Sequence, residues 1–329
     1  MKIFSNKQRS AVTRTVIITI MVILFFVGIF TVYYSMLYSE KRSNIVKDGE
    51  ISAIRTSAQL NDYLSVGTDA IMITANMLDD MIRERRTSDE ILKYLTSQST
   101  AVVNMIKENS AGMYGCICGD YLDGSGWEPP ADYVATERPW YIQAIGNSGR
   151  VTVTEPYLDA MTGTVMVTLA KTLCDGKSVV AFDMSLDGIQ TIAEEAADNE
   201  YADIVFITDR NGYVVAHSDK NEIGKDYGAE NDSLGQYIFD EIYNVDKEVF
   251  EFDYKDSHYI IYSAAIMNDW HCISVKDTTY IFGSLNMILV LTICVVIAMS
   301  MIISLIMIVS GRRMPQRSSR RITSWRASP

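Results

Sequence analysis

The sequence predicts an α+β protein: a long N-terminal helix followed by two antiparallel-sheet modules, the whole flanked by two transmembrane helices. Three observations carry this. Two stretches, Thr15 to Ser39 and Thr278 to Gly311, contain no charged residue. Between them, apolar residues first recur at helical spacing up to Arg86. From Gly112 the texture changes to short apolar runs broken by Gly, Asn and Asp, the pattern of strands and turns.

Each charge-free stretch is long enough, at about 1.5 Å per helical residue, to cross roughly 30 Å of hydrocarbon. We place the spans at 15–37 and 280–310. The first is too long for the apolar region of a signal peptide, and no small-x-small cleavage site precedes Glu40, Lys41 and Arg42. Lys2, Lys7, Arg9 and Arg14 precede the first span, and Arg312, Arg313, Arg317, Arg320, Arg321 and Arg326 follow the second, with no acid in either tail. The positive-inside rule then makes residues 1–14 and the short basic tail 311–329 cytoplasmic and residues 38–277 extracytoplasmic, a two-pass protein of the cell membrane. With the ten tail charges set aside, the overall −12 becomes −22 on the loop between the spans. So acidic a domain repels nucleic acid and anionic lipid.

The loop divides into a long helix (38–86), a first α+β module (87–200) and a smaller second one (201–277). Ile45, Ile51, Ile54, Ala58, Leu64, Ile71, Leu78 and Met81 recur at spacings near three, four and seven, the pattern of a long helix. Thr87-Ser-Asp-Glu90 is a capping box opening a second helix, ILKYLTSQSTAVVNMI. Strands follow in AGMYGCICGDY, RVTVTEPY, TGTVMVTLAKTLC and KSVVAFDMSL, with the short helix PWYIQAIG starting on Pro139 and a turn at Asp175-Gly176. The helix SLDGIQTIAEEAADN closes the first module. The second has ADIVFITD, a turn at Arg210-Asn211-Gly212, YVVAHSD, a helix near 232–243, then KEVFEFDY, HYIIYSAAI and WHCISVKD. Cys116 and Cys118 form C-x-C in what reads as one strand, both facing the same side. With His217, His258 and His271 the only histidines, no metal site is expected, and no cofactor.

In this order of parts, the chain resembles the double Cache (dCache) family of extracytoplasmic sensors over residues 38–277. The residues that carry the likeness are ERPWYIQAI, VVAFDMSL and FITDRNGYVVAHSDKNEIGKD between the two spans. Such sensors occur on bacterial chemoreceptors, histidine kinases and diguanylate cyclases, and the resemblance implies PAS-like sheet modules. A narrower likeness is to the amino-acid-binding subset, whose pattern reads here Tyr133-x4-Arg138-x-Trp140, Tyr157-x-Asp159 and Asp183. It implies that Tyr133, Arg138 and Trp140 meet a ligand carboxylate while Tyr157, Asp159 and Asp183 meet its ammonium. The chemistry suits such a ligand: a zwitterion needs a fork of donors at one end and carboxylates at the other. Each residue also has a plainer reading, Arg138 as a surface cation at a helix start and Asp159 as a turn acid. Asp183 is harder to dismiss, because it interrupts an apolar strand.

The expectation is therefore a membrane sensor for an L-amino acid, signalling or chemotactic, homodimeric through the long helix and read out by a cytoplasmic output partner. The sensor of a cyclase or kinase whose output is lost or supplied in trans is the alternative. A membrane-anchored extracellular enzyme is a reading of another class. Against it, no Gly-x-Ser-x-Gly, His-Glu-x-x-His or phosphate loop occurs, and no catalytic constellation is expected.

Overall fold

The computed structural model describes residues 6–106, 112–158, 160–161 and 165–313. It divides into two compact units, one made by the chain up to Asn44 and from Thr279, the other by Ile45–Thr278.

The first unit holds the beginning of α1 (Asn6–Arg83) and the C-terminal helix α6 (Thr279–Arg313). Both are long and apolar enough to cross a membrane, with windows of mean hydropathy 2.8 and 2.9. Their apolar side chains point outward, Leu24 at 65% and Leu291 at 62% exposure. A helix apolar all round and uncovered by protein is one made for lipid. The helices touch through small polar and aromatic groups: Thr19 Oγ1 lies 2.6 Å from Ser304 Oγ, Tyr34 donates to Asn286, and the Tyr38 and Phe282 rings are 4.7 Å apart. Such hydrogen bonds associate helices where water cannot compete.

The second unit is the mixed fold expected. The rest of α1 and the helix α2 (Ser88–Ile106) lead into β1 (Met113–Ile117) and β2 (Asp120–Asp123). Then come α3 (Pro139–Gly146), β3 (Val151–Val153), β4 (Tyr157–Leu158), β5 (Val165–Thr172), β6 (Val179–Ser185) and α4 (Leu186–Ala197). The second module runs β7 (Ile204–Thr208), β8 (Val214–His217), α5 (Leu234–Tyr243), β9 (Val249–Tyr254), β10 (Ser257–Ile266) and β11 (Trp270–Asp277). The first sheet has the order β2-β1-β6-β5-β3, with β4 also on β5; the second has β8-β7-β11-β10-β9. Every pairing is antiparallel, and the two orders are the same pattern twice.

Local chemistry explains the boundaries. Thr87 and Glu90 form the capping box, Thr87 N donating to Glu90 Oε2 at 3.0 Å and Glu90 N to Thr87 Oγ1 at 3.4 Å. Ser185 and Ser233 cap α4 and α5. Asp175 accepts from the backbone of Lys177 and Ser178 around Gly176, as the turn there requires. RVTVTEPY breaks into β3 and β4 around Pro156, which has no N–H for a ladder. One sequence expectation is corrected. Cys118 is not in a strand beside Cys116: with φ of 54° it shares with Gly119 (φ 97°) the two-residue turn joining β1 to β2, where both positions need positive φ. Cys116 is buried and Cys118 exposed, so the pair does not share a face.

The first sheet is covered on both sides, which is why β1 and β6 are buried at every residue. Its inner face packs Met113, Phe182, Leu169 and Met184 against Leu64, Ile71 and Leu78 of α1, Leu95 of α2 and Ile189 of α4. Each such side chain contributes roughly 1.5–3 kcal/mol. Gly67 permits the approach of α1, since a Cβ there would sit 2.6 Å from Met184 Sδ. The outer face of the sheet is left to α3 and the segment before it, and there the candidate site forms.

Candidate ligand-binding site

Alternation along β1, β5 and β6 decides which side chains reach the outer face. Asp183 on β6 stands directly opposite Thr168 on β5, and β1 places Tyr114 opposite Ala181, two residues from Asp183 on the same face. Asp183 is 2% exposed and its Oδ1 accepts from Tyr114 Oη at 2.7 Å and from Thr168 Oγ1 at 2.5 Å. With the Thr168 hydrogen committed to the carboxylate, the Tyr157 hydroxyl, 2.7 Å from Thr168 Oγ1, donates into the same chain. A buried carboxylate is tolerable because it is met by donors. Burial and the adjacent Asp183 charge push the Tyr114 pKa well above the ordinary tyrosine value, so Tyr114 remains a donor at any physiological pH.

The second charge comes from the segment that crosses this face. Arg138 precedes Pro139 and is therefore held extended (φ −79°, ψ 148°) as the residue that starts α3. Its guanidinium lies 5.7 Å from the Tyr133 ring centre and 5.8 Å from that of Tyr157. Half-buried between two aromatic rings, it makes no ion pair with a described residue. Trp140, in the first turn of α3, is 1% exposed, with its ring edge-on to Tyr114 at 5.3 Å. Thr172 Oγ1 ties α3 to the sheet by donating to Ala144 O at 2.7 Å.

These side chains line one pocket with Tyr121, Asp123, Trp127 and Met161. Five of the six residues expected from sequence, Tyr133, Arg138, Trp140, Tyr157 and Asp183, are thereby brought together; Asp159 lies outside the described residues. Tyr114, Tyr121, Asp123 and Trp127 were not foreseen. Tyr121 donates to Asp123 Oδ2 at 2.9 Å, and burial with that carboxylate beside it raises its pKa. Asp123 Oδ1 accepts from Ser125 N at 2.7 Å, fixing the turn that carries Trp127. The Trp127 and Tyr133 rings then meet edge-on at 5.2 Å. The period-two alternation Tyr121/Asp123 is a signal the sequence does contain, but choosing its face required the pairing register.

A cation between aromatic rings and a buried acid, facing one another across an aromatic box, can hold a zwitterion by both ends. The free space left between them is about 20 Å³, of the order of one water. Among the described residues there is no cluster of histidine, cysteine and acidic side chains that could hold a metal ion.

Residues 89–191, which contain this pocket, match the family model of the methyl-accepting chemotaxis protein-like first PDC sensor domain. Over these residues the chain is similar to the sensor domains of chemotaxis receptors. It is 29% identical over 259 residues to the methyl-accepting chemotaxis protein TlpA of Bacillus subtilis, covering 77% of this chain and 37% of TlpA. It is 26% identical over 235 residues to PctB of Pseudomonas aeruginosa, covering 68% of this chain and 33% of PctB. The matched stretch thus spans about a third of these relatives. Among solved structures, the sensor shares its fold with the ligand-binding domain of Mlp24 with asparagine (TM-score 0.55, 19% identity, 75% of this chain and 98% of that one). It shares it also with the domain of Pseudomonas fluorescens CtaA in complex with L-isoleucine (TM-score 0.56, 17% identity, 75% and 98%). The double-Cache expectation agrees with these findings.

Proposed function

We propose that the chain is the membrane-anchored sensor part of a chemotaxis-type receptor and that its first module binds a free L-amino acid. The observation that carries this is the pairing, in one pocket, of Arg138 between Tyr133 and Tyr157 with the buried Asp183 and its hydroxyl donors. Arg138, Trp140 and Tyr133 take the carboxylate; Asp183 and Tyr157, with Asp159, take the ammonium. Several charge-assisted bonds of roughly 1.5–3 kcal/mol each compensate for the small area such a ligand buries. The solved domains of Mlp24 and CtaA with amino acids support the ligand class.

With so little free space between the two ends, the aromatic box parts to admit the ligand. That makes the liganded and unliganded states different, and differential affinity for two states is what a signal requires. Both termini are cytoplasmic and the sensor is outside, by the basic tails. The signal is handed to a cytoplasmic output partner, and the sensor has no chemistry of its own. Dimerisation through α1 is supported by a row of exposed apolar residues along it, Ile51, Ile54, Val66, Ile73 and Met77.

The experiment is a thermal-shift screen of the full chain in lipid nanodiscs against the twenty amino acids. A ligand at a hundred times its Kd adds about 2.7 kcal/mol, and at least one amino acid should raise Tm accordingly. If none does at millimolar concentration, the amino-acid reading is wrong.

A further inference from the structure

The second sheet repeats the strand order of the first, so β7, β8 and β11 stand where β1, β2 and β6 stand in the first module. The pocket described above lies over β1, β2 and β6, beneath the connection from β2 to β3. At the corresponding place in the second module there is a cleft of about 820 Å³, within the range of small-molecule sites. Phe206 of β7, His217 of β8 and Val275 of β11 floor it, and the connection from β8 to β9 walls it with Tyr227, Glu230 and Asp232.

His217 sets what the floor asks for. It is 5% exposed and stacked on Phe206 with ring centres 5.4 Å apart. The backbone N–H of Asp219 donates to its Nδ1 at 2.8 Å, which leaves the proton of the neutral ring on Nε2. Burial pushes its pKa down against the opposing pull of Glu222 and Asp219, so the ring is neutral at pH 7. No described residue accepts from Nε2. Among the described residues this N–H is not one of the buried polar atoms left without a partner, so it opens onto the cleft, where a ligand acceptor can reach it.

The walls ask for something else. Seven carboxylates and two lysines line the cleft. Lys225 is tied to Glu222 at 2.7 Å, while neither Glu230 nor Asp232 is in a salt bridge among the described residues. A low-dielectric recess with that imbalance concentrates cations.

We propose that this cleft is a second ligand site, taking a small organic cation that also carries hydroxyl or carbonyl oxygens, of the amino-sugar or amino-alcohol kind. Its ammonium sits between Glu230 and Asp232, and one of its oxygens accepts from His217 Nε2. The site stands on residues separate from the amino-acid pocket and does not depend on that reading.

The test is calorimetry of the full chain in nanodiscs with glucosamine as the probe, beside hexylamine, which has the same charge and no oxygen. Glucosamine should bind the native chain and the Arg138→Ala chain alike, and hexylamine at least about tenfold more weakly, for want of the hydrogen bond. His217→Phe, which keeps the stack on Phe206, should cost glucosamine about tenfold and hexylamine nothing. The isosteric pair Glu230→Gln with Asp232→Asn should weaken both amines, and added salt should do the same. Absence of glucosamine binding to the native chain overturns the proposal. So does binding that Arg138→Ala abolishes, which would put the probe in the first pocket, or binding indifferent to the His217 and Glu230/Asp232 variants.

Discussion

Replacing Arg138 by alanine should raise the Kd of the selected amino acid by roughly thirtyfold, about 2 kcal/mol. The structure sets the size of this effect. The guanidinium is already desolvated on two sides by the Tyr133 and Tyr157 rings, 5.7 and 5.8 Å away, and has no carboxylate partner among the described residues. A ligand carboxylate therefore supplies its first anion, through a charge-assisted bond of roughly 1.5–3 kcal/mol. Loss of the two ring contacts costs the free protein a further 0.5–1 kcal/mol or so each, too little to unfold it. The assay is titration calorimetry on the full chain with two ligands, the amino acid and its decarboxylated amine. The amine should bind the native chain weakly and lose little more in Arg138→Ala, because it never used the guanidinium. The cycle of side chain against ligand carboxylate then isolates their coupling. Equal losses for both ligands would mean a general disturbance of the pocket, and an unchanged Kd for the amino acid would show that Arg138 does not face its carboxylate.

Asp183→Asn keeps an oxygen that can accept from Tyr114 and Thr168, so by chemical denaturation it should fold normally while losing about thirtyfold in amino-acid affinity; Asp183→Leu strands both hydroxyls and should cost roughly 2–5 kcal/mol of stability. Gly115→Ala should lower stability by about 1–3 kcal/mol in the same measurement, because its Cβ would lie 2.3 Å from the backbone oxygen of Val179 on the paired strand. A membrane-impermeant maleimide should label intact cells at exposed Cys118 and Cys174, and the label should vanish in the Cys118→Ser, Cys174→Ser chain; labelling that needs lysis would reverse the topology. Buried Cys272, whose thiol pKa is pushed up to about 12, should react only after denaturation. Ile73→Cys, at an α1 position 64% exposed, should form an intermolecular disulfide under mild oxidation, and a chain that stays monomeric on a non-reducing gel would argue against dimerisation through that face.

By itself the sequence determined whatever depends on neighbours in the chain. Charge-free length marked the two apolar helices, Thr87 and Glu90 marked the start of α2, Pro139 the start of α3, and Asp175-Gly176 a turn, because caps, turns and spans are each settled within a few residues. The C-x-C reading went astray at Cys118 for the same reason: two residues at positive φ close a hairpin, and which residues they are depends on where β1 and β2 pair. Five pocket residues were legible through the family pattern. The partners that make them a site were not: Tyr114 reaches Asp183 across 69 residues of chain, and Tyr121 and Trp127 join Tyr133 only once the β1–β2 hairpin lies beside the segment ahead of α3. A one-residue slip of a strand would turn each of these side chains to the opposite face. The cleft over Phe206 and His217 likewise has no sequence pattern of its own, since it is the space left where the β8–β9 connection stands away from the sheet, and only the packing of the whole module fixes that distance.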